Sequence, residues 1–323
     1  MDISNRKSSG DMTSGNPALL IFKFTIPLLI GNIFQQLYNM VDSIVVGNYV
    51  GQIALAAVGT GFPFIFLMSS LFMGLGIGAT IMISQYFGAG DMTNVKKTVD
   101  TIYTSMMLIS IPLTIIGAFV SRFILELVNV PADTINSANI YMVIIFLGII
   151  GSLGFNVNSG ILQGLGDSKT SLIFLAIACV INIILDLVFV LVFGWGVAGV
   201  AVATIIAQFC SWVFGVFYIN KKYKYLHISP FKFKIDKEIL IRTIKLGIPA
   251  GLQQALFAAG IMVFQSLVNQ HGSVFMAGFN AANKIDTFAF MPIQSFSIAA
   301  TTYVGQNIGA GKLDRVKKVL LLL

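Results

Sequence analysis

Two short stretches decide how this chain is read: Ser84-Gln85-Tyr86-Phe87-Gly88-Ala89-Gly90 and Gly305-Gln306-Asn307-Ile308-Gly309-Ala310-Gly311. Each leads into the same signature, Val95-Lys96-Lys97 and Val316-Lys317-Lys318, at a common offset of 221. At an offset of 222, Ile26-Pro27 matches Ile248-Pro249. A period this long exceeds any single helix-turn unit, so the repeat pairs one bundle of elements with another. The residues between the copies say what those elements are. No Asp, Glu, Lys or Arg occurs within 24–41, 43–90, 101–121, 134–166, 187–220, 246–283 or 287–311. A helix needs about 20 mostly apolar residues to cross a bilayer, so these runs read as membrane spans.

Composition agrees. Of 323 residues, 56% are hydrophobic and 10% charged, against roughly 25% charged in a soluble domain. That excludes soluble enzymes, disordered chains, nucleic-acid binders and secreted disulfide scaffolds. Turn signals at Gly47-Asn48 with Gly51, Asn129 with Pro131, Gly194-Trp195-Gly196 and Asn269 through Gly272 divide the runs. The spans are then expected at 18–44, 53–86, 96–120, 134–163, 170–192, 197–220, 245–268 and 274–307. The fold class is all-α and polytopic. The expected organisation is a tail over 1–16, a first lobe of six spans over 17–220, a basic linker over 221–244, and part of a second lobe over 245–323. Six spans separate the copies, so the two repeats run parallel. Two full copies would need about 444 residues, so the chain reads as truncated early in a ninth span.

The cations orient the spans. Arg6, Lys7, Lys23, Lys96, Lys97, Lys169, the eight from Lys221 to Lys245, Lys312, Arg315, Lys317 and Lys318 fall on one side, 18 in all, against Arg122 on the other. The positive-inside rule assigns the N-terminus and the richer side to the cytoplasm. The net charge of +7 is therefore a topology signal. The polar start of the chain lacks the apolar core of a cleaved signal peptide.

Enzyme chemistry finds no footing. His227 and His271 have no neighbouring metal ligands, and Cys179 and Cys210 sit in apolar runs as packing residues. Gly74-Leu75-Gly76-Ile77-Gly78 lies inside an apolar helix with no strand before it, so it serves helix contact and not a dinucleotide. Asp167-Ser168-Lys169-Thr170 lacks the Gly-Lys pair of a phosphate loop, which argues against ATP. It reads as a cytoplasmic turn between spans 4 and 5.

Polar groups within the spans carry the information. Span 1 holds Asn32, Gln35, Gln36, Asn39 and Asp42 at helical spacing on one stripe. Span 5 holds Asn182 and Asp186, and span 6 holds Thr204 and Gln208, each pair four apart. A charge at a helix centre costs about 2.5–3.5 kcal/mol on insertion scales, and the first lobe offers no Lys or Arg beside these groups, since Lys23, Lys96 and Lys97 lie near the start of their spans. Asp42, Asp186 and Thr204 each lie about 8–12 Å below an outer turn at 1.5 Å per residue, so one layer contains all three. The competing readings are that Asp42 snorkels to the interface and Asp186 merely links helices. Lys284 and Asp286 in span 8 are two apart and do not face each other, leaving a helix link or a second-lobe role open.

Taken together, Gln35-Gln36-Leu37-Tyr38-Asn39-Met40-Val41-Asp42-Ser43 with Gly47 and Gly51, Gln85 with Gly88-Ala89-Gly90, Leu165-Gly166-Asp167-Ser168-Lys169-Thr170 and Gly196-Val197-Ala198-Gly199 resemble the multidrug and toxic compound extrusion (MATE) family. The resemblance covers the chain from about residue 17 onward. It implies twelve helices in two lobes forming a V, which export organic, often cationic compounds in exchange for H⁺ or Na⁺. Carried over position by position, it implies ion coupling at Asp42, Asn182, Asp186 and Thr204, which are also the candidate Na⁺ ligands. It implies a substrate cavity at Gln35, Tyr38, Asn39 and Asn156, and a hinge at Pro27. No cofactor beyond the coupling ion is implied. The expected partners are small organic substrates and the lipid bilayer, with neither ATP nor nucleic acid, for a monomer in the plasma membrane. The sequence departs from the pattern at Gln253 and Gln254, where some members carry a glutamate. Two rival readings are a lipid-linked precursor flippase, which would want an intramembrane cation, and a transport-inactive fragment.

Overall fold

The computed structural model describes residues 10–127, 130–229, 232–269 and 273–320, except for the side chains at 62, 63, 71, 262, 265–285, 287 and 320. The expected turns through Asn129 and through 270–272, His271, the Lys284 side chain and the tail residues 1–9 lie outside what is described. Among the described residues every regular element is a helix, in keeping with the all-α class.

Helix α1 (Pro17–Val45) starts where Asn16 accepts the Ala18 N–H at 3.0 Å and Pro17 fills the first position, which needs no donor. It is followed by α2 (Gln52–Ala89) and α3 (Met92–Leu127). The repeated Gly-Ala-Gly is a helix stop. Gly90 takes a φ of 75°, its N–H reaching the Phe87 carbonyl and the next N–H reaching Tyr86. One period later Gly311 takes a φ of 71° with the same pair of bonds, to Ile308 and Asn307.

The fourth expected span is corrected. The continuous apolar run over 134–163 folds as two helices, α4 (Ile135–Leu147) and α5 (Ile149–Gly164), bent by 54° at Gly148. The cause is close packing of α7 (Gly196–Lys222) along the bend. Gly148, Gly151 and Gly154 present bare backbone to Ile205, Phe209 and Trp212, which recur at i, i+4 and i+7. A Cβ on Gly148 would lie 2.3 Å from Ile205 Cγ2, so the chain must be glycine there to bring α7 in.

The turn expected at Gly47-Asn48 with Gly51 takes an unexpected form. The chain stays helical through a wide π turn, Val46–Val50, closed by the Gly51 N–H on the Val46 carbonyl at 3.0 Å. Helix α6 (Ser168–Leu187) ends in a second π turn, Val188–Val192, with Phe193 N–H on the Val188 carbonyl at 3.1 Å. The turn glycines then stand at Gly51, Gly194 and Gly196, so Asp42, Asp186 and Thr204 are nine, eight and eight residues from them.

Six stretches of the described residues are long and apolar enough to cross a membrane. They are Pro17–Val50, Gln52–Ser70 and Phe72–Ala89 (successive parts of α2), Met92–Leu127, Ser168–Val192 and Gly196–Lys222, and the bent α4–α5 pair passes the same length and composition test only when its two helices are taken together. The large core of α2–α7 holds Met106, Phe146, Leu162 and Phe174, all fully buried. Helices α8 (Lys237–Asn269) and α9 (Ser273–Gly309) lie against α1 and α2, and a short α10 (Leu313–Leu320) follows. The repeated motifs cross reciprocally. A Cβ on Gly88 would sit 2.0 Å from the Gln306 carbonyl oxygen, and one on Gly309 would sit 1.8 Å from that of Gln85. Each copy's glycine therefore admits the other copy's backbone.

Candidate functional site

Asp42 and Asp186 lie near the ends of their helices, and the packing of α1 on α6 brings the two carboxyls close enough to interact electrostatically. Both are buried, at 8% and 0% exposure. Among the described residues no ion pair reaches either of them, and Oδ1 of each is a buried oxygen with no hydrogen-bond partner. Asn182 sits one turn before Asp186 and is 2% exposed. The amide orientation that satisfies both its ends donates Nδ2–H to Asp186 Oδ2 at 3.0 Å and accepts the Thr204 N–H at 3.2 Å. Thr204 Oγ1 donates to the Val200 carbonyl at 3.0 Å and stands 3.4 Å from the Tyr38 hydroxyl. The four expected coupling residues, from three helices, thus form one cluster.

The energetics follow from this geometry. Two unit negative charges about 4 Å apart repel by about 4 kcal/mol at an effective dielectric constant of 20. Among the described residues no basic side chain neutralises the pair, and its oxygens could accept a small cation, either a proton between the carboxyls or a hard metal ion that takes carboxylate, amide and hydroxyl oxygens. The two orphaned Oδ1 atoms are the acceptors such a cation would take up.

Of the expected cavity residues, Gln35 and Tyr38 line a cleft whose opposite wall carries Asn182, Thr204 and Gln208. Asn182 and Thr204 therefore belong to both the cleft and the carboxyl cluster. Asn39 is exposed and bonds its carbonyl to Ser43 Oγ at 2.8 Å. Asn156 is exposed, with its amide turned back onto the Ser152 carbonyl at 2.8 Å. Its neighbour Phe155 lines the cleft instead. The buried asparagine on that helix is Asn158, held by the Tyr103 hydroxyl and by the Trp212 carbonyl at 2.9 Å. Tyr141 of α4 was not picked out from the sequence, and it stands close enough to interact electrostatically with both carboxyls. A lone tyrosine in an apolar run has no periodicity to mark it. Pro27 is buried within a continuous α1, and its ring nitrogen leaves the Lys23 carbonyl without the usual helical donor. Asn32 on the same helix donates to Ser295 Oγ of α9 at 3.0 Å.

Toward the turns at Gly51, Gly194 and Gly196, an apolar plug of Val45, Val46, Ala54, Val190, Val197 and Val200 lies beyond the cluster. At the opposite end Asp167 caps α6 by accepting the Thr170 N–H at 3.1 Å, and pairs with Lys222 Nζ at 2.5 Å. Burial alone would raise this carboxyl. The Lys222 ammonium, Thr170 and Tyr223 outweigh it and hold Asp167 below the ordinary carboxylate value.

Comparison with known proteins follows the same lines. The MatE family model matches residues 27–188 and 249–322. A Bacillus subtilis relative, "Probable multidrug resistance protein YpnP", is 34% identical over 306 residues, which is 95% of this chain and 68% of the relative. A second B. subtilis relative, "Probable multidrug resistance protein YoeA", is 33% identical over 92% of this chain and 66% of its own. The chain thus spans about two thirds of the length of these relatives. A solved structure described as the outward-facing conformation of a multidrug resistance MATE family transporter of the MOP superfamily superposes with a TM-score of 0.89 at 25% identity, covering 98% of this chain and 71% of that one.

Proposed function

Because the chain belongs to the MatE family, whose members are multi-pass membrane transporters and not enzymes, we propose that it takes part in secondary active export of organic, often cationic compounds in exchange for H⁺ or Na⁺. The ion site is the Asp42–Asp186 pair with Asn182 and Thr204, and the compound enters the cleft beside Gln35 and Tyr38. The observation that carries this reading is the shared wall. Asn182 and Thr204 touch the carboxyl cluster on one side and line the cleft on the other. Whatever occupies one compartment alters the other.

Asp42 and Asp186 stand on different helices, so their charge state sets a force between α1 and α6. With a cation between them the helices hold together, and without it the repulsion worked out above drives them apart. Pro27 gives α1 a weak point at which to yield. An inward-moving cation supplies about 2.3 kcal/mol per 100 mV, which alternating access converts into efflux without ATP. The N-terminus is cytoplasmic on this reading, in a monomer of the plasma membrane. A phosphate-bearing lipid precursor is disfavoured because the carboxyl pair stands behind the cleft wall and, among the described residues, no cation lines it.

Reconstitution of the chain into proteoliposomes, with an imposed Na⁺ or pH gradient and a fluorescent cationic dye, tests the proposal. Gradient-dependent dye efflux is the expected result. Dye movement indifferent to both gradients would refute the exchange.

A further inference from the structure

Residues 10–16 run from the α5–α6 turn to the junction of α9 and α10 before α1 begins. Gln306, from the second copy of the repeated motif, is fully buried there. Its Oε1 accepts the Met12 N–H at 2.8 Å, and its Nε2 donates to the Gly10 carbonyl at 3.2 Å and to the Gly164 carbonyl at 3.3 Å. Asn307 Nδ2 donates to the Met12 carbonyl at 3.1 Å, Lys312 Nζ to the Thr13 carbonyl at 2.8 Å, and Arg315 to the Gly15 carbonyl at 2.9 Å. Arg315 is itself held by Asn307 Oδ1 at 2.8 Å and lies over the Tyr303 ring. Met12, 3% exposed, fills an apolar cluster with Ile21, Phe24, Ala299, Tyr303 and Val319. Asp11 folds the segment on itself by accepting the Thr13 N–H at 2.8 Å.

The segment is also fitted to the first bundle. A Cβ on Gly10 would lie 2.1 Å from the Leu165 carbonyl oxygen, and one on Gly166 2.0 Å from the Gly10 carbonyl oxygen. Two backbones cross with no room for a side chain. The first copy of the motif does something else, because Gln85 is only half-buried and lines the groove between α2 and α9. One repeated glutamine therefore serves the segment and the other does not. The contacts recognise mainly backbone carbonyls, and they join α5–α6 on one side to α9–α10 on the other.

We propose that Gly10–Asn16 is a strap that locks the N-terminal side of the molecule shut, and that it must leave the α9–α10 junction before that side can open. This rests on the transporter reading, because only an alternating-access cycle requires the strap to move. Nothing in the ion site accounts for a strap so heavily bonded at the opposite end of the helices.

Two arms test it, in the chain with Cys179→Ala and Cys210→Ser. In the first, Thr13→Cys and Lys312→Cys are bridged by a short thiol-cleavable bis-maleimide. Dye efflux is expected to fall to background while bridged and to return on cleavage. Bridged protein exporting at the unbridged rate overturns the proposal. In the second, Gly10→Ala is combined with Ala299→Cys, a fully buried site in the cluster with Met12. Each net hydrogen bond is worth roughly a factor of five in an equilibrium, so maleimide labelling at 299 should quicken by an order of magnitude or more. A Ser211→Cys control, buried on α7 away from the strap, should stay protected, which separates strap release from unfolding. Unchanged labelling at 299 overturns the proposal. Should the unbridged chain fail to export dye at all, the transporter reading falls, and the labelling arm still decides whether the strap docks as drawn.

Discussion

Replacing Asp186 by Asn changes one atom and one charge. The Asn182 amide that donates to Asp186 Oδ2 at 3.0 Å keeps an acceptor, because the new side chain retains one carbonyl oxygen. The partnerless Oδ1 becomes an NH₂ group facing Asp42, which now accepts a hydrogen bond where it had faced a like charge. The fold should therefore survive. Cation binding should not. Losing one of two unit charges about 4 Å from the bound ion removes about 4 kcal/mol at an effective dielectric constant of 20. The new amide–carboxylate bond competes with the ion by a further increment of about 1 kcal/mol. The expected loss, about 5 kcal/mol in all, is between three and four decades in ion affinity, measured by ²²Na⁺ binding or by the gradient needed for half-maximal dye efflux. Asp42→Asn should behave alike. The double variant should be little worse than either single one, because the two carboxyls act as a unit. An Asp186→Asn protein whose ion dependence stays within threefold of the parent would refute the two-carboxyl site.

Three further outcomes follow from other parts of the molecule. Thr204→Val removes the hydroxyl that stands 3.4 Å from Tyr38 and should weaken dye and ion binding together, each by roughly a factor of five to ten, as read by titrating both in the same preparation. Gly88→Ala or Gly309→Ala places a methyl about 2 Å from a carbonyl oxygen of the crossing helix, an overpacking that costs about 1–3 kcal/mol and should lower the melting temperature in detergent. Asp167→Asn keeps the cap on Thr170 but loses the Lys222 pair, a cost of about 1 kcal/mol once the half-exposed ammonium is allowed for. Since Asp167 is held below its ordinary value of 3.8, its contribution is present in full above about pH 4 and fades as pH falls through the lower folded value. Melting curves of parent and variant should accordingly converge in strong acid.

The spans and the helix stops could be read from the chain because each rests on one-dimensional information. Charge is excluded from hydrocarbon whatever the packing, and Gly90 and Gly311 are needed for a backbone angle. The layer shared by Asp42, Asp186 and Thr204 could also be read, since helical rise converts sequence distance into depth. What escaped depends on a neighbour. The bend at Gly148 follows from Ile205 and Trp212 of another helix, and the run over 134–163 is as apolar as a straight span. The turn after Asp42 takes the form of a π turn, whose i→i+5 closure leaves no pattern in the sequence. Tyr141 of α4 meets the carboxyls across elements distant in sequence, and which of Phe155 and Asn156 lines the cleft depends on how α5 packs against its neighbours.

The position of the valine plug bears on why exchange should be obligatory. Val45 and Val46 follow Asp42, Val190 follows Asp186, and Val197 and Val200 precede Thr204, so the plug lies between the carboxyl pair and the turns at Gly51, Gly194 and Gly196. An ion cannot pass that dry layer without losing its hydration. On the proposed exchange, the route left to it is the cleft wall formed by Asn182 and Thr204, which is also the wall that an exported compound would touch. Two ligands that reach their sites through the same side chains hinder each other's occupancy. The bare carboxyl pair, meanwhile, is disfavoured by its own repulsion whenever the cluster is closed. A cycle in which both sites are empty is thus costly, a cycle in which both are full is crowded, and alternation of one occupant with the other is what remains.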